Sequence, residues 1–592
     1  MIWIRVLAAV VIAIAGRSVR GQVSAFTDVE FVGDRVRVEY AGTWYELVSI
    51  EGVSAGELVA GSKEAFGSVW RKRIGEDLLD VFAAMGVELA PDAGVALRLR
   101  RGDGSVLEVD GAPMTRANRQ RIWRANVARE EGRDPRANDR EVEVRAVLGE
   151  VVELVRARHA YARLRGVDLE AAVEAEVARL GERARRGDVR VGAQRLICLL
   201  GDGHAVVEGW RDELDGRALP VALVVAEGGV VALRPDRSGF LDEARPYVEA
   251  IDGIALEEWM GAVSAYVSAG SGALVRRRSV RELALINHAR AALGREASGA
   301  ARLRVRDAEG RSTREIEVRL APGRARPAAW PGRETGRIGE VGYFRLERMA
   351  PEDLRMDREA WRRSMREAFM EVASGARGVI IDVRGNGGGA RDPILAIMPC
   401  LMEAGDPARV VNAARYRLGP DEAAGREAGY LENRRLYPAR WAGWTEAERE
   451  AIEAFVETFR PEREMGEGFS DWHYMVVSPG AAETARSGGD VVVLMDAGCF
   501  SATDIFLGAL GTLPNVTLMG TPSSGGSARS RSYEVAGLEV RLASMASFQP
   551  DGRLYDGNGV RPDVVVERRA RDLLRGGGDR QLERALERLG GR

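Results

Sequence analysis

A serine stands where an apolar strand gives way to a helix. Val491 to Met495 run into Asp496-Ala497-Gly498, and helical character begins near Thr503, which leaves Ser501 on the turn. There its hydroxyl can project beside the helix N-terminus, and the backbone N–H of Ala502 is placed as an oxyanion donor. A plain helix N-cap is the other reading of the same residue. A second strand ends in consecutive glycines, IIDVRGNGGG over Ile380 to Gly389. Glycines free the backbone to turn N–H groups toward a reacting carbonyl, so Gly388 or Gly389 would supply a second donor. Losing one such donor costs about 100- to 1000-fold in rate. The spacing fits neither the Walker nor the dinucleotide fingerprint, while a merely structural turn stays open.

The remaining reactive residue types point away from other chemistries. Cys198, Cys400 and Cys499 are too few and too scattered for a disulfide framework. Cys499, two residues before Ser501, reads as a small buried hydrophobe. His159, His288 and His473 read as packing or surface residues, and no His/Cys/acid cluster has metal-site spacing. We expect no metal and no cofactor.

The elements that must position Ser501 and the glycine loop belong to a long chain. It has 592 residues, 45% of them hydrophobic, and a formal net charge of -3, which suggests several domains. Basic and acidic residues alternate with no long single-sign block, which excludes a nucleic-acid-binding reading. Lys63 and Lys72 are the only lysines. At the N-terminus Arg5, an apolar run from Val6 to Ala15 and the small residues Val23-Ser24-Ala25 resemble an export signal over 1–25, with an uncleaved anchor as the alternative. No later segment is long and apolar enough to span a membrane. We expect an exported, periplasmic or extracellular protein.

Residues 26–135 alternate short strands with Gly and Asp turns. TWYELVSIEGVSAGELV (Thr43 to Val59) has a counterpart in PYVEAIDGIALEEWM (Pro246 to Met260): an aromatic, an Ile-acid-Gly turn, then a helix start. A shared element of two β-rich modules and chance similarity explain this equally well. Helical spacing marks Val147, Val151, Leu154 and Val155, then Leu169, Val173, Val177 and Leu180, in a helical region over 136–204. Residues 205–320 return to β-rich character, and 321–336 read as a Pro- and Arg-rich linker. From 337 to 592 the pattern is α/β, with an aromatic- and charge-rich insertion at about 405–480 whose length points to a functional or capping role, a lid over the cleft being one option, and whose role the sequence does not fix.

DVRGNGGG, CFSATDIF and GRLYDGNGVRPDVVV, in that order, resemble three signatures of the C-terminal-processing/tricorn-core serine peptidases. CLLGDGHAVV (Cys198 to Val207) is similar to the family's Asp-x-His element, and DRQLERALERL to its closing helix. The resemblance covers roughly residues 140 to 592. It implies an α/β multidomain fold with a ClpP/crotonase-like ββα core and, over 205–320, a divergent PDZ-like module. It also implies two catalytic variants to choose between. The Ser–Lys dyad needs a lysine where this chain has Gly525 and Gly526, and arginine cannot become the neutral base. The tricorn-type variant uses Ser, His, a second Ser and Glu. His204 matches its histidine, Gly203 replaces the second Ser, and Asp556 stands where the Glu is expected; Asp202 has an outside role.

The expected activity is therefore peptide-bond hydrolysis by acyl transfer. His204 is the base, Ser501 the nucleophile, Asp556 the orienting acid, and Gly388 or Gly389 with Ala502 the oxyanion donors. The partner is a polypeptide or peptide substrate, and no oligomeric state follows. The rivals are a non-catalytic peptide- or ligand-binding protein on the same fold and a small-molecule esterase or amidase.

Overall fold

The computed structural model describes residues 23–89, 94–130, 137–162, 165–322, 325, 327, 328, 332–351, 356–419, 431–480 and 489–590. Most of the export signal, part of the linker and residues 420–430 of the expected insertion lie outside them. The chain divides into two compact units, Met1–Arg140 with Ala321–Gly323, and Glu141–Leu320 with Arg324–Arg592.

The first unit is built on an antiparallel sheet. Strands β1 (Asp28–Val32), β2 (Arg35–Tyr40), β3 (Thr43–Ile50), β5 (Gly94–Arg100) and β6 (Val106–Pro113) lie in the order β1-β2-β3-β5-β6. The short β4 (Val53–Ser54) folds back on β3 through Glu51 and Gly52, both at positive φ (49° and 76°). This is the two-residue hairpin turn that glycine favours. Helices α1 (Ala55–Phe66), α2 (Trp70–Glu76) and α3 (Leu78–Ala84) follow, and α4 (Arg116–Glu130) closes the unit. Alternation along β5 sends Val95, Leu97 and Leu99 into a core shared with Leu58, Ile74 and Phe82 of the helices.

The second unit opens with helices α5 (Val144–Arg158), α6 (Leu169–Leu180) and α7 (Arg186–Cys198), whose valines and leucines form one core at the expected helical spacing. After the short strand β7 (Val206–Val207) comes a sheet of β8 (Ala222–Ala226), β9 (Gly229–Leu233), β10 (Tyr247–Ile251), β12 (Ala300–Arg306) and β13 (Thr313–Arg319), in that order. A short β11 (Ile254–Ala255) folds back on β10. Between β11 and β12 stand α8 (Leu256–Ser264), α9 (Gly272–Glu282) and α10 (Ile286–Ala292). This is the topology of residues 28–113 over again. Even the register agrees: Glu46 pairs Arg100 and Ile50 pairs Leu97 across a bulge at Leu47/Ser49. Likewise Tyr247 pairs Arg306 and Ile251 pairs Leu303 across a bulge at Val248/Ala250. The Ile-acid-Gly similarity in the sequence marks the same hairpin in both copies.

The α/β part is a six-stranded sheet in the order β14 (Gly336–Ile338), β15 (Val341–Arg345), β16 (Gly378–Asp382), β20 (Val491–Met495), β21 (Val516–Gly520), β25 (Val564–Val565). All its pairs are parallel except β14–β15. Parallel strands are covered on both faces, which is why GVIID and VVVLM are apolar almost throughout and fully buried. Helices α11 (Arg358–Ala373), α12 (Asp392–Leu401) and α14 (Ala502–Leu510) share one core with β16 and β20, and α15 (Arg580–Arg588) packs on the other face.

The described residues of the 405–480 segment contribute to a second sheet. Strands β17 (Arg409–Tyr416) and β19 (His473–Val477) are its two central strands, in the order β18 (Tyr437–Pro438), β19, β17, β24 (Met545–Phe548). Helix α13 (Glu446–Thr458) packs beside them. Val411, Ala414, Met475 and Val477 belong to the main core. A last hairpin, β22 (Ser530–Val535) and β23 (Leu538–Ala543), pairs with β7. No helix among the described residues is long and apolar enough to cross a membrane.

Candidate active site

Strand β20 and helix α14 force the chain through a sharp corner, and Ser501 is at its apex with φ 61° and ψ −119°. Non-glycine residues held in such regions store about 1–3 kcal/mol of strain, which the surrounding packing must maintain. The side chain makes no cap bond to its helix. Its Oγ instead lies 3.2 Å from Nε2 of His204, 297 residues earlier in the chain. The N-cap reading of Ser501 therefore fails as an account of its side chain.

His204 follows the end of α7. Two residues later the chain pairs with β23, Val206 opposite Arg541 and Val207 opposite Val540. Asp202 fixes the turn between helix and strand. Its Oδ1 accepts the His204 N–H at 2.8 Å, and its Oδ2 accepts the Ala543 N–H at 2.7 Å and faces His159 Nε2 at 3.3 Å. His159 Nδ1 accepts the Tyr161 N–H, which places the ring proton on Nε2, toward Asp202. Burial alone would raise the pKa of Asp202, but the His159 hydrogen bond and the neighbouring imidazoles outweigh it and hold the carboxyl below its ordinary range.

Asp556 is fully buried and braced across the fold. Its Oδ2 accepts from Tyr161 Oη at 2.7 Å and from Ser527 N and Oγ, each at 3.0 Å. Its Oδ1 has no partner, and neither has His204 Nδ1. Burial, then the charge of Asp202, pushes the Asp556 pKa up to about 7. For His204, burial is the main cause of a pKa pushed down to about 4, with Arg278, Arg434 and Arg541 adding to it and Asp202 opposing. The imidazole at rest is thus neutral and able to take a proton.

Asp202, His204 and Asp556 bring one donor atom each within 4.8 Å of one another, the one such cluster among the described residues. Both Asp202 oxygens already accept N–H groups, leaving two free donors, His204 Nδ1 and Asp556 Oδ1. A protein zinc site takes three or four ligands. The cluster fits a proton relay better than a cation.

The glycine loop closes over the nucleophile. A Cβ on Gly388 would come within 2.7 Å of Ser501 Cβ and 2.9 Å of Ala502 N, so only glycine lets the loop approach. The Gly388 N–H is itself spent on Asn386 Oδ1 at 2.9 Å. Among the described residues the N–H groups of Gly389 and Ala502 have no acceptor within the protein, so of the paired glycines Gly389 is the free donor. The loop is anchored by Asp382 and Arg384, bonded through two contacts of 2.9 and 2.6 Å, with Asp579 gripping the same guanidinium.

Phe500 lies inside CFSATDIF, which gave it no role of its own, and its ring crowds Gly203 and Gly526. Its ring lies against His204, with centroids 4.5 Å apart and planes tilted by 32°. A Cβ on Gly203 would lie 2.8 Å from that ring, and one on Gly526 2.2 Å. A side chain at either glycine would meet the ring. Asp504 was likewise unassigned; it accepts the N–H groups of Gly525 and Gly526 at 3.1 and 3.0 Å, and burial pushes its pKa up to about 8.

Residues 340–566 match the model of peptidase family S41. No curated protein sequence matches the chain. Among solved structures, mature CPAF aligns with a TM-score of 0.51 at 16% identity, covering 73% of this chain and 94% of that one. CPAF complexed with lactacystin aligns at 0.51 and 17%, covering 76% and 97%. The photosystem II D1 C-terminal processing protease aligns at 0.35 and 14%, covering 72% and 93%. At such identities the CPAF likeness is one of fold.

Proposed function

We propose, from the premise that this chain belongs to peptidase family S41 through its residues 340–566, that it hydrolyses peptide bonds by acyl transfer to Ser501. The observation that carries the reading is the 3.2 Å contact between Ser501 Oγ and His204 Nε2 at a strained strand-to-helix corner. His204 Nε2 takes the hydroxyl proton as Oγ attacks the carbonyl carbon. The N–H groups of Ala502 and Gly389 receive the oxyanion, and the imidazolium returns its proton to the leaving amine. The developing positive charge at His204 is balanced by ionised Asp202, whose Oδ1 lies 4.0 Å from Nδ1, and by the unpartnered Oδ1 of Asp556. Substrates are peptides or unfolded proteins, and the protein acts outside the cytoplasm if 1–25 is an export signal. Residues 205–320 would serve as the PDZ-like peptide-holding module.

One observation favours a second reading, a peptide-binding protein without turnover: His204 Nδ1 is beyond hydrogen-bond distance of both carboxylates. Labelling with a fluorophosphonate separates the two. The expected result is modification of Ser501, absent in Ser501→Ala and reduced by about 1000-fold or more in His204→Ala. A folded protein that takes no label would replace the peptidase reading with the binding one.

A further inference from the structure

We infer that the cavity flanking His204 is a carboxylate-binding subsite centred on Arg278, so that substrates present a carboxylate, from an acidic side chain or a free C-terminus, close to the scissile bond. The inference rests on the peptidase reading of Ser501 and His204. The cavity measures about 420 Å³, and its wall includes His204, Phe500, Arg211, Arg278, Arg281 and Arg541. Two of these cations are already answered: Arg211 pairs with Glu282 at 2.6 Å and Arg541 with Glu208 at 2.5 Å. Arg278 is different. Its guanidinium lies over the Phe500 ring, 5.4 Å from the centroid, and among the described residues no carboxylate pairs with it.

Burial, then the like charges of Arg277 and Arg281, weakens its hold on its proton without removing it. A half-buried guanidinium offers five N–H donors in a planar fork and is costly to leave unanswered. A carboxylate is the group that matches the fork with two parallel bonds. Helix α9 is held against the nucleophile loop, with Ser271 Oγ donating to Ser524 O at 2.7 Å and Arg277 Nη1 to Ala497 O at 2.9 Å. Arg278 is thus fixed relative to Ser501, one residue beyond Phe500. Its guanidinium lies against the ring of Phe500, the residue before the nucleophile, so its ligand belongs to the chain near the cleaved bond. Answering Arg278 would also remove one of the charges that oppose a proton on His204.

The test uses a peptide cleaved by the full chain, synthesised with Glu or Gln at each of three positions either side of the cut and with a free or amidated C-terminus. One of these carboxylates is expected to raise kcat/KM by about tenfold or more over its neutral counterpart, the worth of one charge-assisted pair. Arg278→Gln should bring that ratio to within about twofold, and Arg278→Glu should turn it in favour of Lys at the same position. A preference confined to free over amidated termini identifies the C-terminus as the source; one that survives amidation identifies a side chain. If Arg278→Gln melts early, Arg278→Lys replaces it and should cut the ratio by about threefold, since it keeps the charge but loses the fork. Ratios near one throughout the wild-type series, or a preference unchanged in the Arg278 variants, would overturn the subsite. Anisotropy of the same peptides, fluorescein-labelled, on Ser501→Ala protein keeps the two claims apart. Carboxylate-dependent binding without wild-type cleavage sinks the peptidase reading and leaves the subsite standing; cleavage without preference does the reverse.

Discussion

The chain contains one small fold twice, and the two copies have been put to different use. In both, an Ile-acid-Gly hairpin returns the chain on itself, and the acid's side chain accepts from an equivalent backbone amide: Glu51 from Ala96 and Asp252 from Arg302. In both, three helices bridge to the next strand, and Leu58 and Trp259 fill the same place under the sheet, each fully buried. The copies diverge in what their middle helix does. In the second copy α9 is tied to the nucleophile loop by Ser271 and Arg277 and carries Arg278 to the cavity beside His204. In the first, Lys63 and Arg71 lie over the ring of Trp70, at 5.1 and 4.5 Å from its centroid, and cover their own unit. A fold of this size is therefore a carrier, and the residues on one helix decide whether it serves a site.

Equivalent substitutions in the two copies test that difference. The largest effect is expected from the shared core position. Trp259→Ala should cost about 3–5 kcal/mol and Leu58→Ala about 2–5 kcal/mol, but only the first should also suppress labelling of Ser501, because Trp259 shares a core with Val280 of α9. Calorimetry together with fluorophosphonate labelling reads both; equal loss of label in the two variants would break the contrast. The turn acids come next. Asp252 binds the guanidinium of Arg290, whose side chain is 5% exposed, whereas among the described residues no cation pairs with Glu51. Asp252→Ala should cost about 3 kcal/mol, the penalty of a stranded buried cation, against about 1 kcal/mol or less for Glu51→Ala. Comparable shifts in urea midpoint would mean that the guanidinium finds another partner. The smallest effect belongs to Ser271, which also caps α9 at Leu274 N. Ser271→Ala should cost about 1 kcal/mol while slowing labelling several-fold, and an unchanged labelling rate would show that α9 positions nothing.

Much of the site was legible because its parts are local. A strand, a corner and a helix written within twenty residues placed Ser501, and the glycine run announced its own conformational freedom. Helical periodicity found α5 and α6 for the same reason. What the sequence hid are relations across hundreds of residues. Tyr161 bonding Asp556 spans 395 positions, and nothing near either residue announces it. The strands β17 and β19 are hidden because their charged and aromatic surroundings dominate the composition, and β24, the partner of β17, lies over a hundred residues on. The choice between Gly388 and Gly389 turned on one side chain, Asn386, whose amide oxygen consumes a donor that spacing alone leaves free.

Phe500 has a consequence for how this site can change. Its ring fills the volume beside Gly203 and beside Gly526 at once, so a side chain added at either position displaces the same ring. A serine at 203 or a lysine at 526 meets that ring first, and removing the ring takes away the aromatic neighbour of His204. Changes at these two glycines are therefore coupled through one side chain.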